Sequence, residues 1–201
     1  LEHELSPNDL DAIILSHYHE DHIADLGALR QYRQLQTVKP EMLPIYGHQE
    51  NEYEFSKLSL ENVSEGIAYD VEKGTSVGPF DIQFLKTVHA VICYAMRIVE
   101  RATGQVLIYT GDTGYFAELV DFSKDADILL ADVYFFKDKA KMPNHLSSVE
   151  AGEIAAQANV KKLILTHLPQ VGDLQVLREE AQEAAGNIPV DLAQPHMKWT
   201  V

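Results

Sequence analysis

Five apolar runs of strand length in this sequence lead, at or just past their ends, into a histidine or an aspartate. Residues 11–16 (DAIILS) precede His17, residues 84–90 (FLKTVHA) carry His89, and residues 106–110 precede Gly111 and Asp112. The run 129–132 ends on Asp132, and residues 163–168 (LILTHL) carry His167. This alternation of short apolar runs with polar ends restricts the chain to an α/β arrangement with its chemistry-bearing side chains at strand ends.

Between these runs the pattern predicts a helix over 24–35, where Leu26, Leu29 and Tyr32 recur at helical spacing. Strands are expected at 43–46, 66–71, 80–88, 95–100 and 106–110, with Gly74 and Gly104 in turns. The second half alternates strand 128–133, helix 147–158, strand 161–166, helix 173–185 and strand 190–192. Ser147 and Glu150 have capping-box spacing, and Gly186 stands where a helix should stop. Helices packed on mixed sheets are expected. The acidic stretch 49–65 reads as a surface loop with one helical turn.

With 201 residues, 46% of them hydrophobic, the chain can bury one core, and a single domain over 1–201 is expected. Its longest apolar stretches fall far short of the ~20 residues of a membrane helix. A formal charge of -15 disfavours sequence-blind contact with long nucleic acid. The single cysteine, Cys93, forms no internal disulfide, which makes the cytoplasm the default location. The chain begins at Leu1 and reads as a fragment or a processed chain.

The segment His17-Tyr18-His19-Glu20-Asp21-His22 holds four candidate metal ligands in six positions. In extended chain, side chains two apart point the same way, so His17 and His19 can close on one ion. As the backbone turns into a helix, Asp21 and His22 are re-aimed and can serve a second ion. Imidazole nitrogen with carboxylate oxygen suits zinc, with manganese or iron as alternatives.

This His-x-His-x-Asp-His segment, followed in order by His89, Asp112 and His167, resembles the metallo-β-lactamase superfamily. The resemblance implies a four-layer αββα fold and two divalent ions. It places His17, His19 and His89 on the first ion, Asp21, His22 and His167 on the second, and Asp112 between them. Thr110-Gly111-Asp112-Thr113 and Asn144-His145-Leu146-Ser147-Ser148 are similar to the ribonuclease Z-like branch. There His145 would protonate the leaving oxygen of a phosphodiester, Asp132 would orient His145, and metal-activated hydroxide would attack phosphorus. Asp21 is then both a ligand and a catalytic candidate, and homodimers are the expected assembly.

Two departures from the family bear on these expectations. The family opens with a β-hairpin before its His cluster, where this sequence has 16 residues. The expected fold is therefore N-terminally truncated, with an apolar face and a sheet edge uncovered. Only 23 positions separate His89 from Asp112, which leaves no room for a tRNA-gripping arm. A small-molecule or short phosphodiester substrate is expected instead.

The rivals are hydrolysis of an ester, thioester or lactam by the same machinery, and a non-catalytic metal-binding module. Outside the motifs, His48 is expected on a surface loop, Cys93 in the core or pocket wall, and Tyr94 and Arg97 near the substrate. His3 falls at the frayed start and His196 in a C-terminal loop.

Overall fold

The computed structural model describes residues 6–37, 41–139, 142–195 and 197–199. His3 and His196 lie outside the described residues. The chain runs β1 (Ile13–Ile14), α1 (Glu20–Gln34), β2 (Leu43–Gly47), α2 (Glu52–Ser56), β3 (Ser64–Ala68), β4 (Thr75–Val77), β5 (Phe80–Lys86), β6 (Tyr94–Glu100) and β7 (Val106–Tyr109). It continues through α3 (Glu118–Phe122), β8 (Ile128–Asp132), α4 (Ser148–Ala158), β9 (Leu163–Thr166), α5 (Leu174–Ala185) and β10 (Val190–Leu192).

Two sheets form. One is a parallel trio in the order β1-β2-β3, and the other has seven strands in the order β10-β9-β8-β7-β6-β5-β4. The larger sheet is mixed: β10, β9, β8 and β7 are parallel, whereas β6 is antiparallel to both β7 and β5, and β4 to β5. Helices cover the outer faces. Leu26 of α1 and Leu58 just past α2 pack with Leu15, Leu43 and Ile45 on the small sheet. Ile154, Leu177 and Leu119, from α4, α5 and α3, pack on Leu129, Leu163 and Leu165 of the large one. Each such fully buried aliphatic side chain contributes about 1.5–3 kcal/mol. The layers are α/β/β/α, as expected.

Between the sheets, Tyr69 stacks on Phe84 with ring centroids 4.0 Å apart, and its hydroxyl donates to the Leu15 carbonyl at 3.2 Å. The Tyr94 amide donates to the Ser16 carbonyl at 3.1 Å, a link that joins the end of the β1 segment to the start of β6. That cross-sheet bond explains why β1 spans only two residues where six were expected: past Leu15 the backbone leaves β2 for the other sheet. Away from these links the sheets part. An apolar trough of about 1000 Å³ opens there, lined by Ile13, Ile14, Ile82, Ile98 and Leu107 among others.

The helix boundaries carry one correction. α1 begins at Glu20, four residues before the expected start, because Glu20 and Asp21 favour the positive end of the helix dipole although they lie outside the apolar periodicity. Asp21 and His22 therefore occupy the first helical turn, and His19 is its N-cap residue. Further on, Ser147 caps α4 through the full capping box with Glu150, Asp173 caps α5, and Gly186 ends it with φ 63°. The 49–65 stretch holds α2 and the first residues of β3.

Candidate metal centre

Strand direction assembles the site. β5, β7, β8 and β9 all run the same way, so their carboxyl ends share one edge, and the Ser16–Tyr94 link brings the end of β1 to that edge. His17, His89, Asp112, Asp132 and His167 stand at or just beyond these ends. α1 adds His19, Asp21 and His22, and the segment before α4 adds His145.

Gly111 makes the approach to Asp112 feasible. Its φ is +57°, and a Cβ there would stand 2.8 Å from Cys93 Sγ and 3.1 Å from the Tyr94 carbonyl oxygen. Two loops tie in around it: Gly114 donates its amide to Val88 at 2.8 Å, and Thr87 donates its hydroxyl to the Asp112 carbonyl at 2.9 Å. His167 has φ +53°, a left-handed conformation that costs a non-glycine residue on the order of 1–3 kcal/mol. The bend turns the ring off the β9 line toward Asp21 and Asp112.

The side chains form three overlapping donor sets, each with atoms within 4.8 Å of one another: His17, His19, His89 and Asp112; Asp21, His22 and His167; and Asp112, Asp132, His145 and His167. In the first, His19 Nδ1 lies 3.0 Å from His17 Nε2 and 3.1 Å from His89 Nε2. Asp112 Oδ2 is 3.8 Å from both His17 and His89, and 3.5 Å from His167 Nε2. Its Oδ1 is 3.2 Å from His22 Nε2. In the second, Asp21 Oδ2 lies 3.3 Å from His167 Nε2 and 3.5 Å from His22 Nε2.

The donor set fits divalent ions. The Nε2 atom of His22 and Oδ1 of Asp112 are both buried without a hydrogen bond, a costly state unless a cation satisfies them. The imidazole nitrogens of the first set stand close to the edge length of about 3.3 Å that ~2.0 Å metal–nitrogen bonds imply for a tetrahedron. Protonation favours the same reading. Burial, helped by the charge of His22, lowers His17 to about 3, and burial also lowers His89, so both rings are neutral and ready to ligate at neutral pH. Asp112 is held at about 2: burial would raise it, but the neighbouring His22 and His167 rings outweigh that.

Asp132 works from behind. It is 1% exposed, and its Oδ2 accepts from the Thr113 amide at 3.0 Å and pairs with His145 Nδ1 at 2.9 Å. Its Oδ1 faces His167 Nδ1 at 3.3 Å, off the hydrogen-bond line. One carboxylate thus backs two histidines, the arrangement that fixes ring orientation around metal sites. Its first grip, on His145, was anticipated; the second was not, because nothing local in the sequence joins residues 132 and 167. Ser16 Oγ likewise lies 3.0 Å from His17 Nδ1, which fixes that ring from behind.

Pairing with Asp132, opposed by burial and helped by Asp112 and Asp21, raises His167 from 6.5 to about 9. In metal-free protein this pair therefore stabilises the fold in full below about pH 6.5 and ceases to as pH rises through about 9. His17 and His89, being lowered, act only below 6.5. The Tm of chelator-treated protein should fall between pH 6.5 and 9, and a His167→Gln variant should lose most of that slope. A Tm that climbs over this interval would contradict the pairing.

Other expectations need correction. His48 is 2% exposed, not on the surface: Tyr18 packs against its ring at 4.6 Å and donates to its carbonyl at 2.6 Å, burying the loop. Arg97 donates to the carbonyls of Phe122 and Lys124, so it closes the end of α3 and does not face the donor cluster. Tyr94 is buried with its hydroxyl on Glu50. Cys93, as expected, is a core residue, 3.5 Å from His17 Nδ1.

This fold with this edge of histidines and aspartates defines a metallo-hydrolase, and the chain belongs to the β-lactamase superfamily: the model of the β-lactamase superfamily domain matches residues 2–168. It is 43% identical over 194 residues to the probable metallo-hydrolase YhfI of Bacillus subtilis, across 94% of this chain and 78% of that one. The crystal structure of YhfI superposes with a TM-score of 0.92 at 39% identity, covering 98% of this chain and 80% of that chain. At lower coverage, 97 residues are 39% identical to ribonuclease Z of Archaeoglobus fulgidus, spanning 46% of this chain and 32% of that protein. Among the described residues no helix is long and apolar enough to cross a membrane.

Proposed function

We propose that the protein is a dinuclear metal-dependent phosphodiesterase for small or short single-stranded substrates. The observation that carries this reading is His145, paired at 2.9 Å with a buried carboxylate and 3.9 Å from Asp112 at the mouth of the donor cluster. A carboxylate-backed imidazole beside a cation site is equipped to give a proton to a departing alkoxide, which hydrolysis of a phosphodiester requires. The partial likeness to a ribonuclease Z supports the same class.

In this reading His17, His19 and His89 would hold one ion, Asp21, His22 and His167 would hold the other, and Asp112 would be available to both. Zinc suits the donors best. Two such ions, when bound, supply Lewis acidity that acidifies water near neutral pH and neutralises charge on the substrate's oxygens. The chain's own residues do the rest. Asp132 holds His145 and His167 in place, Ser16 holds His17, and His145 delivers its proton to the oxygen that departs with the alcohol.

The test is a parallel screen of bis-p-nitrophenyl phosphate, a p-nitrophenyl carboxylic ester and a thioester, with and without strong chelator. Chelator-sensitive turnover of the phosphodiester, well above that of the acyl substrates, is expected. Preference for an acyl substrate would replace the proposal with an acyl hydrolase, and no turnover of any with metal bound would leave a binding module.

A further inference from the structure

Resting on the phosphodiesterase reading, we propose that Tyr134 is the platform on which an aromatic leaving group of the substrate stacks. Tyr134 lies two residues past Asp132, and its chain is tied to the segment that carries His145. The amides of Tyr134 and Phe135 both donate to the Leu146 carbonyl, at 3.1 and 3.2 Å, and the Ser148 amide donates to Phe135 at 2.8 Å. Val133 points into the core at 0% exposure, so the alternation of extended chain turns Tyr134 outward.

Its ring centroid lies 5.4 Å from that of His145 and 5.8 Å from that of His167, tilted 43° and 52° to them. With Phe135 edge-on to its ring at 5.3 Å, Tyr134 is nevertheless 39% exposed, so part of the residue stays open to solvent beside the two histidines. A leaving group must sit on the His145 side of phosphorus, because that is where its oxygen receives the proton. Whatever departs is therefore placed against Tyr134. A flat ring gains more there than an aliphatic chain of similar area, since offset or edge-to-face contacts add to burial.

The chemistry separates the two sides of a mixed diester. Hydrolysis of methyl 2-phenylethyl phosphate breaks one P–O bond, adds the water's hydroxyl to phosphorus and puts a proton on the departing oxygen. Loss of the aromatic alcohol yields 2-phenylethanol and methyl phosphate, and loss of the other yields methanol and 2-phenylethyl phosphate. The product ratio does not depend on how much enzyme is folded.

The metal-loaded protein should release 2-phenylethanol in preference. Tyr134→Ala and Tyr134→Leu should lower the ratio of 2-phenylethanol to methanol by about three- to tenfold, whereas Tyr134→Phe should keep it. An unchanged ratio in both ring-less variants, or a wild-type protein without preference, would overturn the platform while leaving the phosphodiesterase reading intact. Wild-type protein that cleaves no phosphodiester would overturn both.

Discussion

His145→Ala should divide phosphodiesters by the basicity of what leaves. On a dialkyl diester, whose alkoxide must be protonated as it departs, kcat should fall by about 10²- to 10⁴-fold. On a p-nitrophenyl diester, whose nitrophenolate departs readily as the anion, the loss should stay below about tenfold, because proton transfer helps least where the departing oxygen is weakly basic. Metal content by elemental analysis should not change, since His145 Nδ1 is engaged by Asp132 at 2.9 Å and stands 3.9 Å from Asp112. Equal losses on both substrates would make His145 a structural or ligating residue, and no loss on either would remove it from the mechanism.

Asp112→Ala should have the other large effect. This carboxylate offers Oδ2 toward His17, His89 and His167 and Oδ1 toward His22, so its removal deprives both donor sets at once. Metal per chain should drop from about two to at most about one. If the lost cation contributes several kcal/mol of charge stabilisation, kcat/KM falls on the order of 10³-fold. Asp112→Asn, which preserves shape and volume, guards against misfolding as the cause: its Tm should remain near that of metal-free wild type while metal and activity are lost. Retention of two ions per chain in either variant would show that the two donor sets do not share this residue.

Much of the site was legible because its determinants are local. The sextet from His17 to His22, the glycine before Asp112 and the strand preceding His167 each encode their own turn, and the order of the runs along the chain is the order in which the sheet presents them. The capping box at Ser147 likewise fixes, within four residues, where α4 begins and so where the segment that carries His145 ends. What local pattern could not supply was packing between distant segments. The burial of His48 depends on Tyr18, from the loop after β1, and on Tyr94, from the other sheet. Arg97 follows β6 to carbonyls that only the folded α3 presents. The early start of α1 was hidden for a different reason: its first turn is written in charged and ligand-type residues, which hydrophobic periodicity ignores.

The two oxygens of Asp132 leave this centre without independent adjustments for proton delivery and ion retention. Lengthening that side chain by one methylene, or removing its charge, displaces His145 and His167 together, so a single substitution would disturb acid and ligand alike. Variation that alters which alcohols are expelled has to come from the solvent side of the two imidazoles, where neighbouring residues can change without disturbing what lies behind them.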